Sequence, residues 1–195
     1  MEAAPELRAL EEQLGIAERD ANALVEGLTE ELGTWRATTV SWSVAHCLDH
    51  LATANRVYLE AMQPVARRAR EQGKVRRRPA LPGLAGRLFV RALEPPVRRI
   101  ARMKSPRSIR PRAAPTLSDA LACFIASQNE VRSFLHAYAS LDLARIHFPN
   151  PFVPGIRFSL ATGLHVITAH ERRHLAQAWR VRQTAENSHL AKSWV

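Results

Sequence analysis

The stretch that decides the fold is Trp42-Ser43-Val44-Ala45-His46-Cys47-Leu48-Asp49-His50-Leu51. Ser43 has the chemistry of a helix N-cap, because its hydroxyl can accept from a backbone N–H that the first turn leaves without a partner. From there Val44, Cys47, Leu48, Leu51, Ala54, Tyr58 and Met62 recur at three- and four-residue steps. That period places them on one helix face and demands an apolar partner for it. Pro64 bends or ends this helix, since it brings no N–H to the ladder.

Three further stretches read the same way. Upstream, Leu7, Leu10, Leu14, Ala17, Ala21, Leu24 and Leu28 form a narrow apolar stripe, with Gly33 as the expected stop. Downstream, Thr116 and Asp119 have capping-box spacing, with Asp in place of the usual Glu or Gln. Leu117, Leu121, Phe124, Ile125, Val131, Phe134 and Leu135 carry that helix to about Ala139. The last helix runs from about Arg157 to Ala185, with Leu160, Leu164, Ile167, His174, Ala178 and Val181 on one face. No alternating strand run, repeat or low-complexity tract stands out. The pattern predicts an all-α protein, a four-helix bundle with long connections between helices 2 and 3 and between helices 3 and 4, the latter a loop over Leu141–Gly155. At 195 residues it is expected to form one domain over residues 1–195.

Apolar residues are 46% of the chain and charged residues 24%, an ordinary globular composition. No apolar run approaches the roughly eighteen residues of a membrane span. The N-terminal MEAAPELRALEEQ is acidic and lacks the apolar core of a signal peptide, so a cytoplasmic location is expected. Cys47 and Cys123 are too few for a disulfide scaffold and read as buried, inert thiols in a reducing compartment. The net charge of +10 is unevenly placed: Ala61 to Pro115 holds 16 Lys and Arg against 2 Asp and Glu, and the rest holds 12 against 16. The basicity therefore belongs to an Arg/Pro-rich insertion at about 64–115. Two short helices fit within it, Leu84–Leu93 and Val97–Met103, split by Pro95-Pro96.

Of eight histidines, His170 and His174 lie four apart on the last helix and His46 and His50 four apart on the second. That spacing stacks two imidazoles on one face, where they can share a metal ion or hydrogen-bond within a core. If the two helices are neighbours, His50 meets His170 and His174. Three neutral imidazoles with other positions open to water describe a catalytic type of metal site. His165 is nine residues from His174 and faces elsewhere.

The Trp42–Leu51 stretch resembles the tryptophan, serine and later His-Leu signature of the DinB/YfiT-like superfamily. His170-Glu171-Arg172-Arg173-His174-Leu175-Ala176-Gln177 resembles its C-terminal signature of His, three residues, His, then Gln. The resemblance covers nearly the whole chain. It implies a four-helix bundle and a metal triad at His50, His170 and His174. His46 departs from the family's frequent Glu or Gln and reads as an exposed side chain, a group behind the ligands or a fourth ligand. The basic segment resembles one branch with an elaborated connection between helices 2 and 3. Characterised relatives include metal-dependent transferases that use low-molecular-weight thiols, along with isomerases and hydrolases, and they are often dimers. The resemblance thus implies a small-molecule substrate, a divalent ion such as zinc or nickel, a possible thiol cosubstrate and a homodimer. The ion would lower the pKa of a bound water or thiol. Glu171 is a weak candidate proton acceptor, since it lies about 100° around the helix from His170. Orienting a ligand or pairing with an arginine suits it better. Gln177 is placed to line the pocket.

Two other readings compete. His170-Glu171-Arg172-Arg173-His174 fits the His-Glu-x-x-His pattern of zinc peptidases, with Glu171 as the base and Glu186 or His189 as the nearest source of a third ligand. The basic segment also suits a binding module for nucleic acid or an anionic membrane surface. In the latter, Leu84, Leu88, Phe89 and Leu93 beside Arg87 and Arg91 form a short interfacial helix. With one aromatic residue and no DNA-binding motif, the segment is poorly equipped to stack on bases. An arginine-rich cap packed over the bundle is the plainer expectation.

Overall fold

The computed structural model describes residues 4–95 and 106–193. Its elements in chain order are α1 (Pro5–Val25), α2 (Glu30–Thr34), α3 (Val44–Glu71), α4 (Leu84–Leu93), a 3-10 turn (Arg107–Ile109), α5 (Leu117–Tyr138), β1 (His147–Pro149), β2 (Arg157–Ser159) and α6 (Leu160–Ser193). The protein is thus mostly helical, as expected. The helix expected over Val97–Met103 lies outside the described residues. No described helix is long and apolar enough to cross a membrane.

The caps act as their chemistry demands. Ser43 Oγ accepts from the His46 backbone N–H at 3.2 Å, and Thr116 Oγ1 from that of Asp119 at 3.2 Å. Each fixes where a long helix starts. The stripe Val44, Cys47, Leu48, Leu51, Ala54, Tyr58 and Met62 is buried throughout. Helix α3 packs on α5 and α6, and α1 packs on the same two.

Four boundaries differ from expectation. Pro64 does not end α3, which continues to Glu71. Pro64 and Glu60 are both exposed, so the Glu60 carbonyl that loses its partner faces water. Helix α1 ends before Gly33, at a turn containing Gly27 with φ +69°. Gly33 sits instead in α2, where a Cβ would fall 2.5 Å from Leu117 Cδ2, so its smallness lets α2 close on the start of α5. The expected loop over 141–155 is partly ordered: β1 pairs antiparallel with β2, Phe148 opposite Phe158. Three-residue strands are too short to show a period in sequence. Arg157 to Ser159 belong to that hairpin, so α6 starts at Leu160, and it runs past Ala185 to Ser193.

The apolar core is two clusters. One gathers around Leu10, Leu14, Met62, Leu135, Phe148 and Leu164, the other around Leu24, Leu48, Leu51, Phe124 and Leu175. Between them along α3, α5 and α6 lies a fully buried polar layer: Asn55, Ser127, Gln128 and Glu171. Asn55 Nδ2 donates to Glu171 Oε1 at 2.8 Å and to Ser127 Oγ at 3.2 Å, and Ser127 Oγ donates to the Phe124 carbonyl at 2.7 Å. This layer ties the three helices at one height, one residue along α6 from His170.

Candidate metal centre

Helices α3 and α6 bring His50, His170 and His174 together. One ligand nitrogen from each lies within 4.8 Å of the others. Nε2 of His50 and Nε2 of His170 are 3.3 Å apart. Two nitrogens each about 2.0 Å from a tetrahedral zinc are separated by about 3.3 Å, so this pair suits a shared ion. The rings of His50 and His174 approach to 4.5 Å between centroids, those of His170 and His174 to 4.6 Å. Nδ1 of His174 is buried without a hydrogen-bond partner among the described residues.

A strap from the basic segment orients the ring of His50. The 3-10 turn places the Ile109 carbonyl 2.5 Å from His50 Nδ1. That carbonyl can only accept, so Nδ1 carries the proton and Nε2 turns its lone pair toward the other imidazoles. A carbonyl or carboxylate behind a metal-binding histidine works in this way. The strap is clasped to α3 by Arg112, whose backbone N–H donates to Asp49 Oδ2 at 2.8 Å and whose Nε donates to Asp49 Oδ1 at 2.6 Å.

The site's electrostatics favour the neutral form of all three rings. Burial is the main force lowering the pKa of His50, with Arg173 adding to it and the Ile109 carbonyl and Asp49 opposing. Burial holds His170 well below its usual value, helped by His174, His50 and Arg173. Burial pushes His174 down to about 3, with His50 and Arg173 acting the same way and Gln177 opposing. Neutral imidazole is the form that binds metal.

Two residues outside the triad, His46 and Glu171, fall into place differently from expectation. His46 is buried, not exposed, and lies outside the ligand cluster. The Ser43 hydroxyl is hydrogen-bonded to its Nδ1 at 2.6 Å and its Nε2 faces the Ala113 carbonyl at 3.4 Å, so it is a second attachment point for the strap. Glu171 is fully buried in the polar layer and also outside the imidazole cluster. It pairs with Asn55, not with an arginine, and burial raises its pKa to about 7 against the opposing bond from Asn55. Full burial and the bond to Asn55 count against Glu171 as the base of the peptidase reading. Glu186, one source of a third ligand, is engaged with Arg182 at 2.8 Å. Gln177 lines a shallow hollow of about 170 Å³ beside His174, with Trp35, Trp42, Arg180 and Val181 among its walls. Cys47 is inert, its thiol pushed up to about 12 by burial.

Sequence reasoning missed Trp42 as a wall of the site. Its ring lies 4.7 Å from that of His50 and 5.6 Å from that of His174. It also missed Asp49, Ile109 and Arg112. An acid between two spaced histidines was a usable signal for Asp49. A backbone carbonyl in a proline-rich connection leaves no mark in sequence.

Residues 13–178 match the DinB superfamily, and the chain belongs to it. No curated protein and no solved structure matches this chain.

Proposed function

We propose that this chain is a divalent-metal-dependent enzyme of the transferase or hydrolase type, built as the four-helix bundle of the DinB/YfiT-like fold. Helices α1, α3, α5 and α6 would form the bundle, and His50, His170 and His174 would hold zinc or nickel. The observation that carries the reading is the convergence of three neutral imidazoles, one of them aimed from behind by the Ile109 carbonyl. With no carboxylate or thiolate in that cluster among the described residues, three neutral imidazoles would leave further positions for exogenous ligands. The ion, when bound, supplies Lewis acidity that brings a water or low-molecular-weight thiol nearer its anionic form at neutral pH.

The chain's own residues confine the chemistry. Trp42 covers one side of the imidazoles and limits water there. Gln177 and the hollow beside it offer a small-molecule substrate a polar contact next to His174. The half-buried charge of Arg173 favours an anionic partner at the centre.

The test is elemental analysis of untagged protein grown with zinc and nickel. Wild type should carry about one ion per chain and His50→Ala or His174→Ala almost none. Metal-free wild type under those conditions, or equal loading of the variants, would overturn the reading.

A further inference from the structure

Helix α4, in the basic segment, is apolar on two sides, and among the described residues only one of them is packed against the fold. The inner side is locked onto α6. Gly86 lies so close that a Cβ would fall 2.5 Å from Thr162 Oγ1. The Phe89 and Phe158 rings are 5.0 Å apart, and Val90 and Leu93 pack against the core. Just after the helix, both carboxylate oxygens of Glu94 are held by the Arg172 guanidinium, which also donates to Gln13 Oε1 at 3.0 Å. These contacts set the rotation of α4 about its axis.

With that rotation set, the helical period sends Leu84 and Leu88 outward. They are 76% and 62% exposed, and Leu81, just before the helix, is 50% exposed. Ala85 and Ala92 are exposed as well. Around them stand exposed Arg77, Arg78, Arg87 and Arg91, which form no ion pair among the described residues. Between Lys74 and Leu93 the sequence has six basic residues and no acidic one.

We propose that this face docks on the surface of an anionic lipid bilayer, with α4 lying in the interfacial plane. Exposed leucines at three- and four-residue steps suit the boundary between headgroups and acyl chains, and arginines suit the headgroups above it. Neither part suffices alone. A few leucines partition weakly, and basic residues near an anionic surface add about 1 kcal/mol each, so the two together make a usable anchor. Charge complementarity selects anionic over zwitterionic lipid. The leucines also separate a membrane from nucleic acid, since phosphate contacts would leave them in water, and the one aromatic residue of the helix, Phe89, faces inward.

The experiment is co-sedimentation of the full chain with vesicles of phosphatidylcholine alone and of equal parts phosphatidylcholine and phosphatidylglycerol. Binding to the anionic vesicles only, weakened by salt, is expected. Leu84→Glu with Leu88→Glu should cut that binding at least about tenfold, while melting temperature and metal content stay as in wild type. Arg87→Glu with Arg91→Glu should do the same. Both pairs are exposed, so the fold tolerates them. Absence of binding to anionic vesicles at low salt would overturn the proposal. So would vesicle binding indifferent to the leucine pair, or salt-sensitive binding to mixed-sequence duplex DNA that outcompetes the vesicles and survives the leucine change. A wild-type dimer that the leucine pair converts to monomer, without vesicles present, would assign the face to a second copy and also overturn it.

Discussion

Nδ1 of His50 and the carbonyl oxygen of Ile109 lie 2.5 Å apart, although 59 residues separate them in the chain. This contact makes a proline-rich connection part of the site. The connection holds the ring of His50 at a set angle, and the Asp49–Arg112 clasp holds the connection.

Arg112→Ala should therefore weaken metal binding without touching a ligand. Loss of support behind a metal-binding histidine costs about 10–100-fold in affinity. Competition against a chromophoric chelator reads this directly. Unchanged affinity would mean that His50 is held by packing alone.

His46→Ala separates the two histidines of α3. Metal stoichiometry should remain that of wild type, because His46 lies outside the cluster. The strap should loosen, since both ring nitrogens of His46 face partners, Ser43 and the Ala113 carbonyl. Faster proteolysis within residues 106–115 with normal metal content is the expected pair of results. Loss of the metal would make His46 a fourth ligand.

Glu171 gives a pH signature to the metal-free protein. Its folded pKa, about 7, lies above the usual value of 4.5, so between those limits the folded state keeps a proton that the unfolded chain releases. Stability contributed by the neutral carboxyl is full below pH 4.5 and is lost as pH rises through 7. Glu171→Gln keeps the bond with Asn55 and cannot ionise. It should match wild type near pH 4.5 and exceed it by a few kcal/mol above pH 7 in urea unfolding. A stability difference independent of pH would show that burial does not hold the proton.

The three imidazoles carry the opposite slope. Each has its pKa lowered from 6.5, so the unfolded chain binds protons that the folded chain refuses, and folding stability falls as pH drops below 6.5. Zinc uptake should accordingly fall only at a pH below the ordinary imidazole value of 6.5. Titration of affinity against pH checks it. A midpoint at 6.5 would mean that the rings are solvated.

Gly86→Ala should detach α4 while sparing the rest. The added methyl meets Thr162 at 2.5 Å, and overpacking of this kind costs about 1–3 kcal/mol. Hydrogen exchange should rise in residues 84–93 and stay low in α3 and α6. Uniform protection would mean that Thr162 yields by rotation.

Much of the fold was legible because helix formation is local. The Ser43 and Thr116 caps act within three residues, and every stripe residue from Val44 to Met62 that the period selected is buried. The triad was legible for a related reason: an i, i+4 pair such as His170 and His174 shares a face wherever its helix goes. Short strands and proline effects were less legible, since three paired residues show no period and the cost of Pro64 depends on whether the Glu60 carbonyl meets water.

What sequence alone determined here is which residues share a helix face, and with them the pairing of histidines at fixed spacing. Tertiary packing decided how each helix is rotated against its neighbours. Rotation sends Glu171 to Asn55 instead of to the imidazoles, buries His46, turns Leu84 and Leu88 to solvent, and sets Ile109 behind His50. The reason is one of range. Backbone hydrogen bonds and side-chain period act over three or four residues, whereas rotation is the joint solution of contacts among segments more than fifty residues apart.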